Sequence, residues 1–252
     1  MQMEHKNVLL TGASGTLGRK IIGLNKIPKL LAPSRRVLDI TKPLTIKKFF
    51  DNNDIDAIIH CAAMARMREC HENPGKAIET NITGTCNLIM EAIRKEKKSK
   101  KSIRLVHMST DGVYEGTKGN YSESSSTIPF NIYGWTKLGA ECAANLLKNH
   151  CIIRTNFFEP ENIKFDESAT DAYTSKAAVD YIAKAVVKML SHKFVGIINI
   201  GKERMSDYDN YKKYKQSLKP CKLKDILKTV PFPIAKDFSM DISLWKKIEK
   251  EN

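Results

Sequence analysis

The chain has 252 residues, of which 42 are Lys or Arg and 28 Asp or Glu, giving a formal net charge of +14, and 42% are hydrophobic. That length supports one sizeable α/β domain with its own core and a small appendage. No run approaches the eighteen or so apolar residues of a membrane span, and Met1 to Lys6 lacks a secretory pattern, so the expectation is a soluble, cytoplasmic protein.

The positive balance would permit nucleic-acid or anionic-surface binding, and it suits a phosphate-bearing ligand equally well. Much of the excess is lysine dispersed over 95–101, 212–224 and 246–250, which reads as solvated faces, and no interleaved aromatic motif accompanies it. Nucleic acid is therefore not an expected partner. Cysteines 61, 70, 86, 142, 151 and 221 form no Cys-x-x-Cys pair, so reduced thiols are the default. His60-Cys61 and Cys70-His71 match no usual zinc spacing, and no metal is expected.

In chain order, Asn7 to Leu10 reads as a buried strand that runs into Thr11-Gly-Ala-Ser-Gly-Thr-Leu-Gly18. Gly12, Gly15 and Gly18 open an amphipathic helix carrying Leu17, Ile21 and Ile22. Glycines so placed permit a tight turn, let backbone N–H groups approach a pyrophosphate and let the helix pack on the strand, while the helix N-terminus favours the anion. Gly12, Ser14, Gly15, Thr16, Leu17 and Gly18 are thus candidate cofactor residues. The competing reading is a structural turn.

A second strand near Lys29 to Ala32 leads to Ser34-Arg-Arg36 and Val37-Leu-Asp-Ile40. An acid after that strand would hold a ribose 2′-hydroxyl, whereas basic residues accommodate a 2′-phosphate. Ser34, Arg35 and Arg36 favour NADP (as NADPH) over NADH, unless the arginines are ordinary surface charges. Asp39 and Ile40 are placed to cover the adenine edge.

Leu44 to Phe50 reads as a helix with Ile46, Phe49 and Phe50 inward. Ala57 to Cys61 reads as a buried strand, and Cys61, Ala62 and Ala63 at its end let a cofactor lie close. Pro74 to Lys97 reads as one long helix with Ile78, Ile82, Ile89 and Ile93 on a single stripe and a basic C-terminal end. Asn81 within it is either solvated or braced against the active-site strand.

The stretch from His107-Met-Ser-Thr-Asp111 to Tyr133-Gly-Trp-Thr-Lys137 organises the rest. A strand, Ile103 to Met108, ends in hydroxyls at Ser109 and Thr110. Tyr133 and Lys137, four apart, share a helical face. An ammonium beside a phenol stabilises the phenolate and lowers its pKa, making Tyr133 a proton donor near neutral pH, with Thr110 or Ser109 holding the oxygen that receives the proton. Alone, Tyr-x-x-x-Lys also describes a surface helix pair. Beyond it, Cys151 to Arg154 is a strand, Lys176 to Leu190 a helix and Gly196 to Ile200 a last strand. The alternation implies a Rossmann-type α/β fold with a doubly wound parallel sheet and its ligand at the strands' C-terminal ends.

These motifs, together with His60-Cys-Ala-Ala63, Thr80-Asn81, Gly84-Thr85, Val113-Tyr114, Gly116, Leu138 and Glu141, resemble the extended short-chain dehydrogenase/reductases, and the Ser109-Thr-Asp111 version is most similar to dTDP-4-dehydrorhamnose reductases. The resemblance runs from Asn7 to Arg154, more weakly to Gly201. It implies Thr110, Tyr133 and Lys137 as catalytic residues, Gly12, Gly15 and Gly18 as the cofactor loop, and hydride transfer from NAD(P)H to a nucleotide-sugar ketone. It also implies a cofactor portion over 1–155, with Ser109, Tyr133 and Lys137 reaching the cofactor, and a smaller substrate-binding portion over 156–252. A homodimer is compatible with it. Gly112 stands where the reductases carry an aromatic, Phe157-Phe158 replaces an aromatic and polar run, and the segment between Arg154 and the helix at 176 is shorter than usual. Two other readings stay open. One is a nucleotide-sugar epimerase or dehydratase of the same superfamily, although Thr110 leans toward simple reduction. The other is a non-catalytic NADP-binding regulatory subunit similar to that of methionine adenosyltransferase.

Overall fold

The computed structural model describes residues 7–251; the reading of Met1 to Lys6 lies outside them. Six parallel strands, β1 (Val8–Thr11), β2 (Leu30–Leu31), β3 (Ala57–His60), β4 (Arg104–Met108), β5 (His150–Arg154) and β6 (Gly196–Asn199), form one sheet in the order β6-β5-β4-β3-β1-β2. The chain leaves β1 to one side to make β2 and crosses to the other side to make β3. The order therefore reverses between β1 and β3, and a crevice opens at their C-terminal ends.

Both faces of the sheet are covered, which explains why its strands read as continuous apolar runs. Leu10, Ile59, Val106, Ile153 and Ile198 pack under α1 (Thr16–Gly23) and, further along the chain, Val179–Ser191. Leu9, Ile58, Leu105 and Ile152 pack under α2 (Pro43–Asn52), α3 (Gly84–Ser99) and α4 (Ile132–Ala144). Central side chains such as Leu9 and Ile58 are 0% exposed, and each such burial contributes about 1.5–3 kcal/mol. The helix at Val179–Ser191 is α5.

The expected single helix from Pro74 to Lys97 is broken. A four-residue α-turn, Pro74–Ala77, passes into a π-helix, Ile78–Thr83, before α3 begins. The wider turn shifts the register, so Ile78 is 49% exposed instead of lying on the buried stripe, while Leu88 and Ile89 fill the core. The helix expected from Lys176 starts only at Val179, because Ala177–Ala178 is drawn into a parallel pair with Phe157–Phe158. A short helix at Met67–Glu72 was not expected. Beyond β6 the chain makes short strands and helices and closes with Ser243–Lys250, whose Trp245 and Ile248 join the core on the α5 side. No helix among the described residues is long and apolar enough to cross a membrane.

Candidate active site

The crevice beside β1 is shaped by three glycines with different tasks. Gly12 takes φ +71°, and a Cβ there would sit 2.6 Å from the Ala62 amide nitrogen, so the first turn and the end of β3 touch through bare backbone. A Cβ on Gly18 would lie 2.3 Å from the Gly12 carbonyl oxygen, which lets α1 pack onto its own turn. Gly15 meets only that carbonyl, at 3.3 Å, so its other side faces open space. This division matches a loop that turns, admits a phosphate and packs a helix.

The cavity there holds about 540 Å³ and is lined by Gly12, Ser14, Gly15, Ser34, Arg35, Asp39, Ile40, Cys61, Ala62 and Ala63. These are candidate cofactor residues from three separate stretches, 12–15, 34–40 and 61–63. Thr16, Leu17, Gly18 and Arg36 do not line it, nor do Ser109, Tyr133 and Lys137. Arg35 Nε lies 3.1 Å from Asp39 Oδ2, and the Thr41 amide and hydroxyl donate to Asp39 Oδ1 at 3.0 and 2.8 Å. Burial pushes the Asp39 carboxyl up, but the Thr41 and Arg35 donors outweigh it and hold it below its ordinary value. Arg35 is thereby presented to the cavity, and Arg36 is not.

The candidate catalytic residues gather one strand further along. β4 delivers Ser109 and Thr110 into a 3₁₀ turn, Asp111–Val113. Asn131 caps α4 by accepting from the Gly134 amide at 2.8 Å. Gly134 itself is required, because a Cβ there would fall 2.1 Å from the Gly112 carbonyl oxygen. The start of α4 therefore lies directly on the Ser-Thr-Asp turn, and Tyr133 comes beside Thr110.

The Thr110 hydroxyl donates to Asp111 Oδ1 at 3.1 Å and accepts from the Gly112 amide, also at 3.1 Å. Donation to a substrate oxygen thus requires the hydroxyl to rotate away from Asp111. Asn156 donates to the other carboxylate oxygen at 2.9 Å. Burial pushes Asp111 up to about 6, with Asn156 and the Lys176 charge pulling the other way. Lys137, 4% exposed, is pulled down to about 8 by burial, against the opposing Glu141 carboxylate.

The expected depression of the Tyr133 pKa is not what the structure has. Burial, then the Asp111 carboxylate, push the phenol above its ordinary value, and a hydrogen bond with the Thr110 hydroxyl acts in the opposite direction. Desolvation wins because the phenolate would form inside the fold beside an existing negative charge. The phenol is therefore fully protonated at neutral pH, the state a proton donor needs. Ser109 is committed elsewhere: its hydroxyl donates to Glu141, which also takes Arg154 at 2.7 and 3.0 Å in a buried ion pair.

Asn81, undecided from spacing, is 1% exposed and fully used. The π-helix turns it so that Oδ1 accepts from the Met64 amide at 2.7 Å, while Nδ2 donates to the Met64 carbonyl at 3.0 Å and the Thr136 hydroxyl at 2.9 Å. It ties the loop after β3 to α4. His60 bonds Thr11 at 2.7 Å and Thr85 at 3.0 Å, and burial lowers its pKa to about 3. Asp111 and Asn156 were missed as site residues. The Ser-Thr-Asp run was a signal for the first, and nothing in the spacing pointed to the second.

Against the models of known families, residues 6–162 match the RmlD substrate binding domain. The chain belongs to this family. A dTDP-4-keto-6-deoxy-D-glucose reductase of Streptomyces niveus is 38% identical over 154 residues, 58% of this chain and 51% of that protein. Methionine adenosyltransferase 2 subunit beta of Pongo abelii is 26% identical over 190 residues, 70% and 54% of the two chains. The chain thus spans about half the length of these curated relatives. Among solved structures, a dTDP-4-dehydrorhamnose reductase from Clostridium acetobutylicum superposes with a TM-score of 0.85 at 25% identity, covering 96% of this chain and 92% of that one. The enzyme of that name from Bacillus anthracis, crystallised in complex with NADP, gives 0.82 at 19% identity over 98% and 93% and shares the RmlD-type fold.

Proposed function

We propose that this RmlD-family chain is an NADPH-dependent reductase of a nucleotide-linked 4-keto-6-deoxy sugar, with residues 156–252 supplying most of the substrate contacts. The observation that carries the reading is the convergence of Thr110, Tyr133 and Lys137 at the C-terminal end of β4, next to a glycine crevice whose Gly15 side is open and whose rim presents Arg35. NADPH, when bound, supplies a hydride. Gly12, Gly15 and Ser14 would hold its phosphates, Arg35 and Ser34 its 2′-phosphate, and Asp39 and Ile40 its adenine edge.

The chain's own residues handle the oxygen. As the carbonyl carbon gains the hydride, the Tyr133 O–H bond breaks and its proton goes to the carbonyl oxygen, leaving an alcohol and a phenolate that solvent reprotonates. The Thr110 hydroxyl, rotated off Asp111, donates a second hydrogen bond to that oxygen, and the Lys137 ammonium offsets the phenolate charge as it forms. A buried, neutral phenol suits this direction of proton flow.

NADPH oxidation measured with dTDP-4-keto-6-deoxy sugars tests the proposal, and Tyr133→Phe should abolish it while leaving NADPH binding intact. A protein that binds NADPH yet turns over no ketosugar would favour the regulatory-subunit reading, which the likeness to methionine adenosyltransferase 2 subunit beta supports.

A further inference from the structure

Behind the candidate catalytic residues lies an ion pair sealed from solvent. Arg154, at the end of β5, and Glu141, on α4, are 3% and 4% exposed, and neither lines the glycine crevice. Arg154 grips the carboxylate with two nitrogens, Nη2 to Oε2 at 2.7 Å and Nε to Oε1 at 3.0 Å, while the Ser109 hydroxyl donates to Oε1. Its remaining nitrogen, Nη1, donates to the Tyr114 hydroxyl at 3.0 Å, and that hydroxyl donates in turn to Asn199 Oδ1 at 2.8 Å. One buried polar chain thus joins the ends of β4, β5 and β6 to α4. Taking two charges out of water is costly, and apolar side chains of similar size often replace such a pair without loss of stability. Stability alone therefore does not account for it.

Glu141 lies one turn beyond Lys137 on the same helix, so the two share a face. The groups that surround the Lys137 ammonium come from three elements. Tyr133 and Glu141 lie on α4 itself, His60 and the Cys61 thiol at the end of β3, and His107 on β4. Burial keeps both imidazoles neutral and pushes the thiol up to about 12. The Asp111 carboxyl acts on Tyr133, and its own opposing cation is Lys176. Glu141 is then the carboxylate that acts on Lys137 among the described residues. Arg154, Glu141 and Lys137 together carry one net positive charge inside the fold, which a phenolate on Tyr133 would balance.

We propose that Arg154 and Glu141 are positioning residues for the carbonyl reaction: Glu141 supports the Lys137 ammonium, Arg154 limits that support by claiming the same carboxylate, and Ser109 ties both to the strand end that carries Thr110. The assignment rests on the reductase reading above. Neither residue touches a reacting atom, and the pair acts only through Lys137 and the Ser-Thr-Asp turn.

The test compares pH–rate profiles of variants that change charge with little change of shape. Glu141→Gln keeps an oxygen for Arg154 but leaves two buried cations facing each other, so the alkaline limb of kcat/KM should move down by about one pH unit. Arg154→Met gives Glu141 wholly to Lys137, and the limb should move up by about as much. Arg154→Lys, which keeps the charge, should leave it in place. Arg154→Met strands a carboxylate in the core; if it does not fold, the double variant E141Q/R154M removes both charges together, and its limb should return to the wild-type position. The pH titration of the Lys137 ε-carbon in cofactor-free protein labelled with ε-13C-lysine, assigned by its absence in Lys137→Met, reads the same shifts without turnover. A limb and titration unmoved in Glu141→Gln, with kcat lowered by one factor at every pH, overturn the proposal, as do shifts of the same sign in both single variants. The two readings fail separately. Ketosugar turnover with unmoved limbs would remove the pair and keep the reductase, whereas opposite shifts of the Lys137 titration in a protein without turnover would keep the pair's hold on Lys137 and remove the reductase.

Discussion

Lys137 offers the sharpest test of how the site works, because burial takes its ammonium from an ordinary 10.5 down to about 8. That difference corresponds to roughly 3 kcal/mol of lost ammonium stability. If the charged form supports proton release from Tyr133, kcat/KM should be level up to about pH 8 and then fall about tenfold per pH unit, instead of holding to pH 10 as an exposed lysine would allow. The stability consequence has the opposite sign. A base whose folded pKa lies below its unfolded one binds fewer protons in the native state, so its contribution to stability rises with pH between about 8 and 10.5. Between pH 8 and 9 the gain is about 1 kcal/mol, isolated by comparison with Lys137→Met, which shares every other titrating group, thiols included. The assay pairs a pH–rate profile with urea unfolding at pH 8 and pH 9, in wild type and in Lys137→Met. Activity should fall across that interval while wild-type stability rises relative to the variant. A rate that stays level to pH 9.5, or one that falls together with a loss of stability, would refute the argument.

Four other outcomes follow from the geometry. Tyr133→Phe should remove turnover by several orders of magnitude and leave the NADPH dissociation constant within about twofold in a direct binding assay, since the hydroxyl is the only atom lost. Thr110→Val should lower kcat by about a hundredfold to a thousandfold with a smaller change in KM, whereas Ser109→Ala should show chiefly in unfolding, costing about 1–3 kcal/mol because buried Glu141 loses a donor. Arg35→Ala should weaken NADPH by about tenfold and NADH little, while Arg36→Ala should affect neither, and titration of the four combinations separates them. His60, held neutral with its pKa at about 3, contributes stability that is present above pH 6.5 and lost as pH falls toward 3, up to about 5 kcal/mol. Acid unfolding of His60→Gln should therefore be displaced to lower pH relative to its own neutral-pH stability, and an identical pH dependence would count against that assignment.

Much of this protein is written locally. Alternating apolar strands and amphipathic helices dictate a doubly wound parallel sheet, because each strand must be covered on both faces and each crossover supplies the helix that covers it. The spacing of Gly12, Gly15 and Gly18 specifies a turn, an opening and a close helix contact, which are backbone properties of neighbouring residues. Tyr133 and Lys137 are four apart on one helix, so their shared face needs no tertiary information. Thr110 at the end of an apolar strand is legible for the same reason.

What depends on packing could not be read this way. Whether Arg35 or Arg36 meets the crevice is set by the Asp39–Thr41 hook, formed by a turn whose direction no periodicity encodes. Asn81 points at Met64 and Thr136 only because the helix widens into a π-turn, and a pattern counted at 3.6 residues per turn misses that shift. The raised phenol of Tyr133 runs against the expectation from its neighbour Lys137 because desolvation and the nearby Asp111 carboxylate act through space, and neither is encoded in the four-residue spacing. A second cavity joins Phe158, Lys176, Lys202, Asn210, Lys213 and Tyr214, which have no shared periodicity in the sequence until two-residue strands and short helices fold them onto one wall. Local interactions choose the elements. Charge, burial and orphaned donors belong to the assembled fold, since each depends on how much water the rest of the chain removes.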